Sequence, residues 1–195
     1  MTITLDERDR SEILRYLGYR GSEINDVVED KIKSAVSIAN GVIAPKSVWK
    51  LYDITKNEEG IALSGSDLVL LGNSIKKHLS GNHKAILFCV TIGREFDREV
   101  EKLMVSDPSS GVILNACGIQ AVEKLADALQ REVEDRLKVK TGVRFSPGYG
   151  DLPLELQKDI LRELSAEKMA GVLLNRNNLM SPVKSVTAVA GIVEE

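Results

Sequence analysis

Apolar residues recur every three or four positions through the first forty residues of this chain and then shift to alternation. Ile13, Leu14 and Leu17 share one face of a short helix that Asp6, followed by Asp9, is placed to cap and Gly18 to end. Val27, Val28, Ile32, Ala35, Val36 and Ile38 keep the same spacing and predict a second helix from Ile24 to Asn40, stopped by Gly41. The period then falls to two. Residues 48–54, 60–63 and 84–91 read as strands, and Asn57-Glu58-Glu59-Gly60 supplies turn chemistry for a hairpin between the first two. A short helix over residues 74–79 separates the second strand from the third.

Helical spacing returns from Phe96 to Met104. After Asp107-Pro108 it runs on in a long helix with Val112, Ile119, Val122, Ala126, Leu129, Val133 and Leu137 as its apolar stripe, about 40 Å in length at the helical rise. A further helix is predicted from Pro153 to Leu164 with Asp151 as its cap, and residues 185–193 form a C-terminal strand. Strands with helices flanking them give an α+β fold built on a mainly antiparallel twisted sheet with long flanking helices. With no repeat, low-complexity stretch or long linker in the sequence, residues 1–195 read as a single domain.

Composition narrows the function classes. The chain is 43% hydrophobic and 28% charged, and no run approaches the roughly 20 apolar residues of a spanning helix, so membrane insertion is not expected. The first residues lack the basic and apolar regions of a secretory signal, which predicts a cytoplasmic protein. The net charge of −3 and 4% aromatic content do not suit a nucleic-acid reader. Cys89 and Cys117 lie in apolar stretches far apart and read as buried thiols, not as a metal or redox pair.

The segment with the clearest chemistry is Arg144-Phe145-Ser146-Pro147-Gly148-Tyr149. Pro147 presets the first central φ of a type II turn and Gly148 supplies the positive φ of the second. The turn sets Arg144 just before the bend and Tyr149 just after it. A planar guanidinium fork for a carboxylate, an aromatic face and the backbone of Ser146 and Gly148 between them suit an amino acid joined to a nucleoside. On spacing alone, a plainer reading pairs Arg144 with a nearby acid, packs Tyr149 in the core and leaves the turn as a connector.

This stretch resembles the Arg-x-x-x-Gly-Tyr motif of the activation domain of cobalamin-dependent methionine synthase, including the proline before the glycine. Residues 120–129 are similar to that family's long helix, whose ligand-contacting glutamate is matched by Glu123. The family's N-terminal aspartate is matched by Asp6, whose rival role is helix capping, and the rival role of Glu123 is a solvated charge at the flank of its helix. Residues 179–187 resemble the loop and strand that supply a second tyrosine, but Ala190 stands near that place, and the chain ends soon after without the family's C-terminal extension.

The resemblance implies a stand-alone form of the activation domain with S-adenosylmethionine held by Arg144, Ser146, Gly148, Tyr149, Glu123 and Asp6. In the family the domain sits over cobalamin. When the cofactor has been oxidised to cob(II)alamin, an electron from flavodoxin or another reductant and the methyl group of S-adenosylmethionine restore it. Positioning is then the protein's contribution and no catalytic acid or base is implied. This sequence has no Asp-x-His-x-x-Gly for a cobalamin lower ligand and no cysteine cluster for zinc, and His78 and His83 stand in other contexts. Cobalamin is therefore expected only through a partner, a corrinoid-binding protein or a methionine synthase lacking this domain.

Two other classes remain beside this reading. An independent methyltransferase or radical enzyme is disfavoured, since neither a Gly-x-Gly turn after a strand nor a Cys-x-x-x-Cys-x-x-Cys run is present. A small-molecule-binding or structural protein that kept the fold without the reactivation role stays open.

Overall fold

The computed structural model describes residues 1–19, 21 and 24–193. The two hydrophobic periods of the sequence resolve into helices on both faces of one antiparallel sheet. One turn of 3-10 helix, Glu7–Asp9, leads into α1 (Arg10–Tyr16), followed by α2 (Asp26–Val42), β1 (Lys46–Lys56), β2 (Gly60–Leu63), β3 (Val69–Leu71) and α3 (Asn73–His78). Then come β4 (Lys84–Thr91), α4 (Arg94–Ser106), α5 (Pro108–Leu137), β5 (Lys140–Thr141), α6 (Leu156–Glu163) and α7 (Ala166–Ala170), and last β6 (Leu173–Leu174), β7 (Met180–Ser181) and β8 (Ser185–Val193). The main sheet has the order β3-β2-β1-β4-β8-β5 with every pair antiparallel, while β6 and β7 form a separate small hairpin.

Strand β4 shows why the sheet is a three-layer sandwich. Seven of its eight residues are buried. Ile86, Phe88 and Val90 pack toward α1, α2, α4 and α5, whereas Ala85, Leu87 and Cys89 pack toward α3, α6 and α7. Both thiols lie in these cores, and burial pushes each up to about 12, so Cys89 and Cys117 stay neutral.

The long helix α5 has 30 residues. Its N-terminus follows the expected pattern, with Pro108 in the first turn and the Asp107 carboxylate accepting the Ser110 N–H. The predicted stripe is corrected in its first half, because Val112 is half exposed while Leu114, Cys117, Ala121 and Leu125 are buried. A single-face stripe assumes one neighbour. Helix α5 rests on the sheet and also meets α1, α2 and α4, so its buried arc is wide and its glycines are contact points.

Two helix boundaries also differ from expectation. Helix α2 begins under an Asn25 cap, runs through Gly41 and ends at Val42, with Ile43 as its C-cap. Helix α6 begins only at Leu156, and Asp151 does not cap it. The Asp151 carboxylate instead accepts the N–H groups of Asn73 and Ser74, both at 2.8 Å, at the start of α3. The reason is local: α3 begins after Gly72, which has no side chain with which to cap its own helix. Those bonds draw the Asp151 carboxyl below the usual carboxylate range.

Among the described residues no helix is long and apolar enough to cross a membrane.

Candidate functional site

The turn at residues 146–149 forms as its composition demands. The Tyr149 N–H donates to the Ser146 carbonyl at 3.1 Å, and Gly148 has φ of +90°, which a residue with a Cβ adopts only with strain. The Gly148 N–H donates to the Leu152 carbonyl at 2.9 Å, which folds the following loop back on the turn.

Three elements pin the segment around the turn. Phe145 exchanges both main-chain hydrogen bonds with Val189 of β8, each 2.9 Å. Gln130 on α5 donates to the Gly142 carbonyl at 3.0 Å and to Thr141 Oγ1 at 2.8 Å. From α3, His78 Nε2 lies 2.7 Å from the Val143 carbonyl, and its ring tilts against Phe145 with centroids 4.8 Å apart. With Asp151 tying the far side to α3, the motif is held from residue 141 to residue 151.

Arg144 reaches from this anchored segment to α5. Its Nη2 donates to Glu123 at 2.7 Å, and its Nη1 to Asp127 at 2.5 Å and to Gln130 at 2.8 Å. The three partners stand at i, i+4 and i+7 on one helix face. Burial works against the guanidinium charge, but the carboxylates of Asp127 and Glu123 outweigh it and hold Arg144 above its ordinary value. The side chain is 22% exposed.

A cavity of about 600 Å³ opens at this point, within the range for small-molecule sites. Glu123, Arg144, Ser146 and Tyr149 border it, with Gln157 of α6 and Thr187 of β8. Tyr149 does not fill the core. It is 60% exposed, with its ring edge-on to Phe145 at 6.0 Å, and stands at the rim as a free aromatic face. Gly148 contributes the bend and does not border the cavity.

Asp6 lies elsewhere. Its carboxylate accepts the Arg8 N–H at 2.9 Å and pairs with the Arg8 guanidinium at 2.7 Å, and its own N–H donates to Asp9 at 2.8 Å, a complete capping box. Those Arg8 bonds hold its carboxyl far below the usual range. It borders a separate cavity of about 460 Å³ with Arg10 and Glu29. On α5 it meets Lys124, the neighbour of Glu123 about 100° round the helix.

Ala190 is also displaced from the expected place. It is fully buried on the α5 side of β8, paired with Ile86, and does not border the Arg144 cavity, so no empty aromatic position opens there.

Asp127, Gln130, Gln157 and Thr187 escaped the sequence reading. The first two carry a legible signal, since they repeat Glu123 at helical spacing, but the last two reach the cavity only through the packing of α6 and β8. A larger cavity of about 970 Å³ opens between α6, α7 and the β6–β7 hairpin, lined by Lys158, Arg162, Lys168 and Arg176, away from the motif. Among the described residues no group of three or more His, Cys, Asp or Glu side chains is arranged to hold a metal ion.

No protein-family model and no curated protein sequence matches the chain. Among solved structures, the MetH reactivation domain bound to AdoHcy matches with a TM-score of 0.70, over 94% of this chain and 73% of that one, at 17% sequence identity. The resemblance read from Asp6, residues 120–129, the motif at 144–149 and residues 179–187 is thus matched by the backbone over nearly the whole chain, which has the α+β fold of the MetH reactivation domain.

Proposed function

We propose that this chain binds S-adenosylmethionine in the Arg144 cavity and acts as a separate reactivation component, presenting the methyl group to a corrinoid held by another protein. The observation that carries the reading is the convergence of Arg144, Glu123 and Tyr149 on one cavity, in the fold of a domain observed with AdoHcy. The Arg144 fork suits the ligand's carboxylate and Glu123 with Asp127 its ammonium group, so a zwitterion can exchange with the existing ion pairs without leaving a charge unpaired. The exposed Tyr149 face suits the adenine ring. The sulfonium of the ligand supplies the methyl group, and the metal and the reductant, flavodoxin or another, belong to the partners. Binding and orientation are what the residues here contribute.

Calorimetric titration of S-adenosylmethionine tests the site. The parent chain is expected to bind, and Arg144→Ala and Tyr149→Ala each to bind about tenfold more weakly. Since Glu123 and Asp127 are solvent-accessible, Arg144→Ala leaves them hydrated and the fold intact. No heat with the parent, or equal affinity in both variants, would refute the assignment.

A second reading, a small-molecule-binding or structural protein without the reactivation role, draws on the three partners that already hold Arg144. Restoration of methyl transfer by an inactivated corrinoid methyltransferase, with S-adenosylmethionine and reductant supplied, separates the two. Binding without restoration favours the second reading.

A further inference from the structure

Thr187 is 2% exposed and borders the Arg144 cavity. In β8 it pairs with Cys89 of β4, and by the two-residue period of a strand it faces the same side as Val189. Its Oγ1 is the one fully buried side-chain nitrogen or oxygen among the described residues without a hydrogen-bond partner. Ser185, two residues earlier on the same face, is the contrast. Its hydroxyl lies 2.8 Å from Thr91 Oγ1 and 2.7 Å from the Pro182 carbonyl. A buried hydroxyl without a partner is worse for the fold than a methyl group of the same shape, so the packing of the described residues gives no reason for an oxygen at this place.

The geometry offers a use for it. A step of the threonine side chain to another staggered rotamer about χ1 carries Oγ1 into the place of Cγ2 or of Hβ with no movement of the backbone. Thr187 borders the cavity, so such a step is the movement by which its hydroxyl would meet a bound molecule. The main chain at Thr187 is aimed the same way. Val189 exchanges both of its outer bonds with Phe145, and the alternation of an antiparallel strand points the N–H and C=O of Thr187 to the same edge. Strand β5 pairs with Ile192 and Val193, so among the described residues no strand pairs with Thr187 on that edge.

We propose that Thr187 is a further ligand-contacting residue of the Arg144 cavity. Its hydroxyl pairs with a hydroxyl or amine of the bound molecule, and its main-chain edge offers a second donor and acceptor beside it. The inference rests on the reading of this cavity as the S-adenosylmethionine site, and the ribose hydroxyls of that ligand have the required chemistry.

The test compares the parent, Thr187→Val and Thr187→Ser by calorimetric titration with S-adenosylmethionine and by thermal melting without ligand. Thr187→Val keeps the shape and removes the oxygen. It is expected to melt at or above the parent temperature and to bind about tenfold more weakly, while Thr187→Ser stays within about twofold of the parent. Two results overturn the inference while the proposed function stands: Thr187→Val binding as tightly as a parent that binds, or Thr187→Val melting well below the parent, which would make the hydroxyl a structural group. A parent that binds no S-adenosylmethionine overturns both together.

Discussion

Arg144 has one role in the fold and a second one in the proposed site. A guanidinium held by Glu123, Asp127 and Gln130 ties the motif to α5, and the same carboxylates would receive the ammonium end of a zwitterionic ligand. Ala190 carries the opposite lesson, because resemblance set it beside the ligand and the structure sets it in the core. Ala190→Tyr, the substitution that would restore a ring if the position faced the cavity, is expected instead to overpack the contact between β8 and α5 and cost about 3 kcal/mol or more. Urea unfolding checks this. A stable variant with tighter ligand binding would show that Ala190 does face the site.

Among the elements, α5 organises the molecule, since its sheet side joins the core and its outer flank carries Glu123, Asp127 and Gln130. Its close approach to α4 depends on glycine. A Cβ built at Gly118 falls on the ring of the fully buried Phe96, and one at Gly111 on the backbone of Leu103 and Met104. Alanine at position 118 improves helix propensity by about 1 kcal/mol. The clash is expected to outweigh that gain, so Gly118→Ala should lose roughly 1 to 3 kcal/mol. A melting temperature equal to or above that of the parent would mean that α4 gives way without cost. Helix α3 has a different dependence, because Asp151, 78 residues from Asn73 in sequence, supplies its cap.

Across the whole molecule the carboxylates that bridge elements set its response to acid. Glu163 accepts bonds from Tyr52 at 2.6 Å, Ser66 at 2.7 Å and Lys50 at 3.2 Å, and the Tyr52 bond is the largest cause of its lowered value. Asp9, Glu29, Asp107 and Glu134 are lowered as well. A carboxyl lowered in the folded state binds its proton more readily when unfolded. Its contribution is therefore complete above the unfolded values of 3.8 to 4.5 and drains away as pH falls through the lower folded values. The urea midpoint is expected to hold between pH 7 and about 5 and to drop between about 4 and 3, less steeply in Glu163→Gln. A midpoint unchanged down to pH 3 would mean that these bonds contribute nothing.

Local periodicity and turn chemistry were sufficient for much of this protein. The strands at 60–63, 84–91 and 185–193, the proline start of α5 and the type II turn at Pro147-Gly148 follow from neighbours in sequence, because spacing and allowed φ are properties of a few consecutive residues. The two- and three-residue strands β3, β5, β6 and β7 were not legible, since so short a run carries no period. The wide buried arc of α5, the attachment of Asp151 to α3 and the inward face of Ala190 were likewise beyond it. Each depends on which element lies opposite, and that is settled only when distant segments pack. The site divides along the same line. The motif and Glu123 stood in the sequence, whereas their meeting through Arg144, the exclusion of Asp6 from their cavity and the unpaired hydroxyl of Thr187 were decided by tertiary structure, because each depends on which distant segment packs alongside.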